Sequence, residues 1–183
     1  RGVRIDMDLV EKAIDMDTRF RSELTEKMQA ITNLENPNSV QQMKQWLSDN
    51  GMEVDSLGKK AVTALLKTAP PELTGVLELR QQLAKSSVKK YQTMQRAVCS
   101  DSRARGMFMF YGANRTGRWA GRLIQLQNLP QNHLPDLDAA RALVKSGDYE
   151  AVKIIYEDVP DTLSQLIRTA FIPKDGCRFY VAD

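Results

Sequence analysis

The chain has 183 residues, of which 42% are hydrophobic and 27% are charged, and its formal net charge at pH 7 is +3. This composition is typical of a globular protein with one large or two small cores, and it excludes an intrinsically disordered chain. The two cysteines form neither a metal-binding spacing nor a disulfide framework, and no run of about 18 apolar residues occurs, so we expect a reducing, cytoplasmic location and no membrane span.

The first predicted element is a long helix. Apolar residues recur at spacings of three and four from about Asp6 to Ile31, and Asp6 or Asp8 is the expected N-cap. The carboxylates of Asp8, Glu11 and Asp15 would share one face of this helix. A metal site is one interpretation of that face, but we expect a solvated acidic face that stabilises the helix N-terminus.

Two shorter helices are predicted next. The first runs from Ser39 to Asn50, with a capping box formed by Ser39 and Gln42 and a glycine just after its end. The second covers Ala61 to Lys67. Its start is preceded by the adjacent lysines Lys59 and Lys60, whose flexible ammonium groups can reach phosphates or simply aid solubility.

A long helix is predicted from Glu72, after a pair of prolines, to about Val98. Its polar residues are spaced by four, three and four, which places them on one helical face: Lys85, Lys89, Gln92 and Arg96. We interpret this row either as a surface that follows a sugar-phosphate backbone or as a solvated helix face.

The stretch from Ser102 to Asn132 contains no Asp or Glu. It holds five arginines, namely Arg103, Arg105, Arg115, Arg118 and Arg122. An apolar strand from Met107 to Tyr111 leads into the last three, so we expect them to lie in a loop that this strand supports. Guanidinium groups suit phosphate oxygens, and the amides of Gln125, Gln127 and Asn128 suit base edges. The pattern indicates a nucleic-acid contact, and pairing of the arginines with acids elsewhere in the fold is the alternative.

The last third of the chain is predicted to contain short helices followed by a strand. Asp136, Asp148 and Asp161 are the expected N-caps of three helices. After a glycine-containing turn, the residues from Arg178 to Ala182 read as a buried strand that ends at Asp183. Together, these predicted helices and few short strands indicate a mainly α (α+β) fold.

The arginine stretch resembles a known family. Thr116 to Arg122, followed by Leu126 to Pro130, is similar to the T-G-x-x-T-G-R and L-Q-N-I-P phrases of family A DNA polymerases, the bacterial DNA polymerase I group. Ala120 replaces the second threonine, and the spacer is shortened as in phage versions. Arg168 to Pro173 resembles the family's R-x-A-F-x-P phrase, and Asn36 to Ser39 resembles a weaker phrase of its thumb subdomain.

The resemblance implies that the chain is a piece of a longer DNA-directed DNA polymerase from a bacterial or phage-infected cytoplasm. Residues 1–99 would be a thumb-like region with long helices. Residues 100–183 would be the start of the palm, with a few short antiparallel strands and a helical insertion at about 136–158. The piece alone would not polymerise, because the second metal carboxylate and the nucleotide-binding helix of the family come later.

The resemblance also assigns roles to residues. Arg122 and Gln127 would read the minor groove at the primer terminus, and Asp183 would be the first catalytic aspartate, a ligand of one of two magnesium ions. The partners would be a primer-template duplex and deoxynucleoside triphosphates. The remaining expected DNA contacts are Lys59, Lys60, Lys85, Lys89, Arg115, Thr116, Arg118, Gln125, Asn128 and Arg168.

Two other functions remain open at this point. A non-catalytic helical DNA-binding module would use the same basic surface without chemistry. A metal-dependent nuclease would use Asp183 for a different phosphoryl transfer. The oligomeric state is left open as well, because unpaired palm strands in a piece of this kind offer edges for dimerisation.

Overall fold

The computed structural model describes residues 2–85 and 88–180. Helices dominate this part of the chain and the strands are short and antiparallel, which confirms the mainly α (α+β) class. Contacts divide the chain into two compact units, the first from Arg1–Asp17 with Ser87–Asp183 and the second from Thr18–Ser86. None of the helices in the described ranges is long and apolar enough to cross a membrane. The assignment of residues 1–99 and 100–183 to polymerase subdomains stays a prediction.

Helix α1 (Met7–Thr32) begins and ends within one residue of its predicted bounds. Asp6 is its N-cap, because its Oδ1 accepts a hydrogen bond from the Leu9 amide at 3.3 Å. The last residue of the apolar stripe found in the sequence, Ile31, is 51% exposed. The other members of the stripe form the buried face of the helix: Leu9, Ala13, Met16, Phe20, Leu24 and Met28.

The second unit packs three further helices around one core. They are α2 (Val40–Asp49), α3 (Lys59–Leu65) and α4 (Pro71–Leu83). Its fully buried centre includes Met28, Met43, Leu47, Val62 and Leu77.

The capping box predicted for α2 is only half formed. Ser39 Oγ accepts a hydrogen bond from the Gln42 amide at 3.4 Å, as expected. The Gln42 carboxamide accepts from the Asn36 amide instead of returning to Ser39. Helix α3 also begins two residues before its predicted start, so Lys59 and Lys60 form its first turn.

The long helix predicted from Glu72 to Val98 is wrong, because α4 ends at Leu83 and a separate helix α5 (Lys89–Ala97) follows. The guanidinium of Arg21 donates to the carbonyl oxygens of Leu83 at 2.8 Å and Lys85 at 2.7 Å. Carbonyls bonded in this way no longer require partners from a continuing helix. Lys85 therefore lies outside both helices and does not share a helical face with Lys89.

The first unit contains a three-stranded antiparallel sheet. Strand β1 (Val3–Ile5) lies between β2 (Arg103–Ala104) and a strand near the C-terminus, Phe171–Ile172, which becomes β5 in chain order. Val3 pairs with Ala104, and Arg4 pairs with Ile172. Both edges of β1 are thus occupied.

Three short helices precede β5: α6 (Leu137–Ser146), α7 (Tyr149–Tyr156) and α8 (Val159–Leu166). Asp136 and Asp148 cap α6 and α7 as predicted. The predicted cap Asp161 is wrong, because the Oδ1 of Asp158 accepts from the Asp161 amide at 2.9 Å and starts α8 three residues earlier. Pro160 fits there because the first helical turn needs no amide donor from it.

The strand predicted from Arg178 to Ala182 is wrong for its described part. Residues 178–180 form no strand, and Tyr180 is 81% exposed. Both edges of β1 are already paired, and no described strand pairs with these residues. The guanidinium of Arg178 stacks on the Tyr180 ring instead, at 4.9 Å from its centroid. The end of the predicted strand and Asp183 lie outside the described residues.

Candidate nucleic-acid interface

The arginine stretch forms a β-hairpin and not the predicted loop. Strand β3 (Phe108–Ala113) pairs antiparallel with β4 (Arg118–Gly121). A tight turn joins them, in which the amides of Thr116 and Gly117 both donate to the Ala113 carbonyl, at 3.0 and 2.9 Å. Arg115 and Thr116 therefore lie on the turn, and Arg118 lies on a strand.

A bulge in β3 shapes the hairpin. Met109 pairs with Ala120 and Ala113 pairs with Arg118, so three residues of β3 face the single residue Trp119. Tyr111, within the bulge, has a left-handed φ of 53°. At Gly112 the strands approach so closely that an added Cβ would lie 2.5 Å from the Ala120 Cβ, so only glycine fits there.

The hairpin has two chemically different faces. Successive side chains of a strand point to opposite faces, so Arg118 and Ala120 lie on one face, and Trp119 and Gly121 on the other. The Arg122 amide donates to the Met107 carbonyl at 2.7 Å and continues the pairing, which places the Arg122 side chain on the Arg118 face. We call these the arginine face and the aromatic face.

Two of the five arginines are held by the protein itself. Arg103 donates to the Gly2 carbonyl at 2.8 Å. Arg105 forms a two-bond pair with Asp101 at 2.8 and 2.5 Å, and this hydrogen bonding lowers the pKa of Asp101 to about 2. Asp101 lies just before the acid-free stretch, so the alternative of pairing with an acid applies to Arg105, whereas the acceptor for Arg103 is a backbone carbonyl.

The other three arginines are available to a ligand. Arg115, Arg118 and Arg122 are exposed, and no acid or carbonyl in residues 2–85 and 88–180 accepts a hydrogen bond from their guanidinium groups. Unpaired guanidinium groups on a rigid strand and turn form an anion-binding surface.

The segment after β4, residues 122–134, bends sharply around a buried side chain. Leu123 and Gln125 both have left-handed φ values, 56° and 54°, and Ile124 between them is fully buried. A 3-10 helix, Leu126–Asn128, follows, and Leu129 is the second buried side chain. Left-handed non-glycine residues of this kind are costly and concentrate at functional sites.

Side chains from other elements fix the backbone of this segment. Lys90 on α5 donates from Nζ to the Ile124 carbonyl at 2.6 Å. Arg168 donates to the carbonyls of Leu129 and Pro130 at 3.1 and 2.9 Å. These bonds give the predicted DNA contact Arg168 an internal role.

Gln165 on α8 completes the support. It is buried, and its Oε1 accepts from the amides of His133 at 2.6 Å and Leu134 at 2.8 Å. Its Nε2 donates to Asp161 at 2.6 Å. Lys90 and Gln165 were not found from the sequence, because both lie more than thirty residues from the backbone groups that they hold.

The supported segment presents amide side chains to solvent. Gln125, Gln127 and Asn128 are exposed, and Asn128 donates to the Gln125 Oε1 at 3.3 Å. The Gln127 carboxamide occupies the position where a Cβ of Gly121 would be. Gly121 therefore allows Gln127 to lie against the end of β4.

The structure brings eight of the predicted DNA contacts into the hairpin and the segment that follows it, together with its support: Arg115, Thr116, Arg118, Arg122, Gln125, Gln127, Asn128 and Arg168. Lys89 is exposed at the first turn of α5 in the same unit. Lys59 and Lys60, both exposed, and Lys85, which is half-buried, belong to the second unit.

The predicted magnesium ligand Asp183 lies outside the described residues. Among residues 2–85 and 88–180, no group of three His, Cys, Asp or Glu side chains could hold a metal ion. Asp6, the most buried carboxylate near the start of α1, is bound by Arg141 and by Lys145 at 2.9 Å. The assignment of a magnesium ion to Asp183 therefore stays a prediction.

The chain is similar to a protein of Bacillus phage SP02 that is named DNA polymerase, with 53% identity over 184 residues. The alignment covers all of this chain and 28% of that protein, so the chain spans less than a third of its length. No protein-family model matches the chain. No solved structure matches it either.

Proposed function

We propose that the chain is part of a DNA-directed DNA polymerase of family A and that its hairpin and the segment after it bind the primer-template duplex. The observation that carries this proposal is the set of three exposed guanidinium groups without internal acceptors, next to exposed amide side chains on a segment whose backbone is bonded by Lys90, Gln165 and Arg168. The 53% identity to a phage protein named DNA polymerase supports it.

The two kinds of side chain would have different tasks. Arg115 and Arg118 would bind phosphates, which gives affinity without sequence preference. Arg122 and Gln127 would donate to the minor-groove acceptors that every correct base pair presents. A copying enzyme needs this combination, since it must hold any correctly paired sequence equally well.

The other predicted residues complete the proposal. Lys59, Lys60, Lys85 and Lys89 would contact the duplex backbone as point charges. Asp183 would ligate catalytic magnesium in the complete enzyme, which takes deoxynucleoside triphosphates as substrates. The chain alone would bind duplex but would not incorporate nucleotides.

Substitution of Arg122 in the complete enzyme tests the proposal. We expect Arg122→Ala to lower the rate of primer extension by at least about tenfold while duplex affinity falls by less, because the contact forms at the primer terminus. Extension kinetics and duplex titrations of the same preparation measure both effects. Equal losses of extension rate and duplex affinity would count against a role at the primer terminus. A complete protein that binds duplex without extending any primer would be a non-catalytic binding module.

A further inference from the structure

The aromatic face of the hairpin has no occupant among the described residues. Phe108, Phe110 and Trp119 are 51%, 73% and 63% exposed. The rings of Phe110 and Trp119 meet edge to face, with centroids 5.3 Å apart and planes at 70°. Neighbouring Tyr111, 6.4 Å from Phe110, is exposed as well. Large apolar surfaces that are left exposed mark binding sites.

The surroundings of this face favour an anionic partner with flat apolar groups. Arg115 on the adjoining turn carries unpaired positive charge, Arg118 adds a second charge on the opposite face of β4, and no acid lies between residues 102 and 132. The apolar face of a protein partner would gain nothing from these charges. Nucleic acid provides phosphates for guanidinium groups and base faces for aromatic rings.

The bases must be unpaired to use such a surface. Within a duplex each base face is covered by its neighbours, whereas an unpaired strand exposes its base faces to aromatic side chains. Gly121 is on the aromatic face, and the Gln127 carboxamide lies where its Cβ would be. Gln127, one of the two proposed readers of the duplex end, therefore lies on the same face of the hairpin as the aromatic rings.

We propose that the aromatic face binds the unpaired DNA strand that continues from the end of the duplex, with bases stacked on Trp119 and Phe110. This inference rests on the proposed duplex-binding function, because the duplex end locates the strand. It assigns Trp119 and Phe110 to base stacking and Arg115 to the adjoining phosphates.

The test uses Trp119 as its own reporter. The chain has two tryptophans, so Trp46→Phe in the second unit leaves Trp119 as the only one. A short oligothymidylate and an abasic strand of equal length are titrated against this variant, with Trp119 fluorescence and strand anisotropy as readouts. We expect the thymidylate to quench Trp119 and to bind about tenfold more tightly than the abasic strand, since each stacked base contributes about that factor.

Matched variants separate stacking from charge. Trp119→Leu should abolish the preference for the base-carrying strand, and Phe110→Leu should reduce it. Arg115→Gln should weaken binding of both strands alike and keep the preference. Ile154→Ala, at another strongly exposed apolar residue of the same unit, should leave the preference unchanged.

Equal affinity for the two strands with unchanged Trp119 fluorescence would overturn the inference. Self-association of the chain that Trp119→Leu removes would also overturn it, since the face would then bind protein. Duplex titrations in parallel keep the two proposals distinct. Duplex affinity that depends on Arg118 without any base preference in single strands would refute only the stacking surface, and duplex affinity independent of Arg118 would count against the proposed function.

Discussion

Gly121 shows how a missing side chain can position a functional one. Its φ is not among the positive values, so alanine is compatible with its backbone. A methyl group there would overlap the Gln127 carboxamide. The carboxamide lies at the end of a flexible side chain, so we expect it to move away while the hairpin stays folded. Gly121→Ala should therefore lower duplex affinity several-fold, as measured by anisotropy.

A double-mutant cycle checks the cause of that loss. In the Gln127→Ala background the space beside Gly121 is free, so Gly121→Ala should have little further effect on duplex affinity. Additive losses in the double variant would show that the glycine acts through something other than Gln127.

Asp6 combines two separable roles at the start of α1. Its Oδ1 caps the helix, and its carboxylate also binds Arg141 and Lys145 of α6. Burial opposes ionisation of Asp6, but the hydrogen bond from Lys145, the Leu9 amide and the charges of Lys145 and Arg141 outweigh it and lower its pKa. Asn caps helices as well as Asp does, so Asp6→Asn removes the charge and keeps the cap.

We expect Asp6→Asn to reduce the free energy of unfolding by about 1–2 kcal/mol at neutral pH, since the ionic hydrogen bonds are lost. Because the pKa is lower in the folded state, this stabilisation is present above the unfolded value of about 3.9 and is lost as the pH falls through the folded one. Urea unfolding at a series of pH values should show the two proteins converging below about pH 4. A difference that stays constant into acid would assign the loss to packing.

At the scale of elements, α8 and the residues just after it support the segment that carries Gln127. Arg168 donates to two carbonyls of the segment, and Gln165 accepts from two of its amides. Two neighbouring carbonyls, of Leu129 and Pro130, and two neighbouring amides, of His133 and Leu134, are thus bonded by side chains of this region. The family resemblance assigns Arg168 to DNA, whereas its bonds indicate that it positions the segment.

The salt dependence of duplex affinity distinguishes these two roles of Arg168. A lost phosphate contact lowers the slope of log affinity against log salt by about 0.9, whereas a lost positioning contact lowers affinity at every salt concentration. We expect Arg168→Met to weaken duplex binding with an unchanged slope. A slope reduced by nearly one unit would instead make Arg168 a phosphate ligand.

Elements with local causes were predictable from the sequence. Helix α1 has an uninterrupted apolar stripe and its own cap, so its bounds follow from nearby residues. The break between α4 and α5 was not predictable, because Arg21 bonds a carbonyl 62 positions away. The hairpin was missed for a different reason. Its second strand, β4, contains two small residues and shows no alternation of apolar and polar residues that would indicate a strand.

At the scale of the molecule, the sequence identified the candidate DNA-contacting side chains better than the residues that hold the backbone around them. Arg115, Arg118 and Arg122 were identified by the absence of acids around them in the sequence, and no acid of the described residues forms an ion pair with them. The structure was needed to distinguish these three arginines from Arg103 and Arg105, because the distinction depends on which carbonyls and acids lie within hydrogen-bond distance. Lys59, Lys60 and Lys85 belong to the other compact unit, and their part in DNA binding stays a proposal.

The central claim is that the unpaired guanidinium groups of the hairpin bind duplex phosphates, and the most direct measurement is the salt dependence of duplex affinity in an Arg115→Gln, Arg118→Gln variant. A matched control, Lys67→Gln with Lys174→Gln, removes the same charge from two other exposed positions. We predict that the arginine variant lowers the slope of log affinity against log salt by about 2, and that the control leaves it unchanged. Equal slopes for the arginine variant and the unmodified chain would contradict the account.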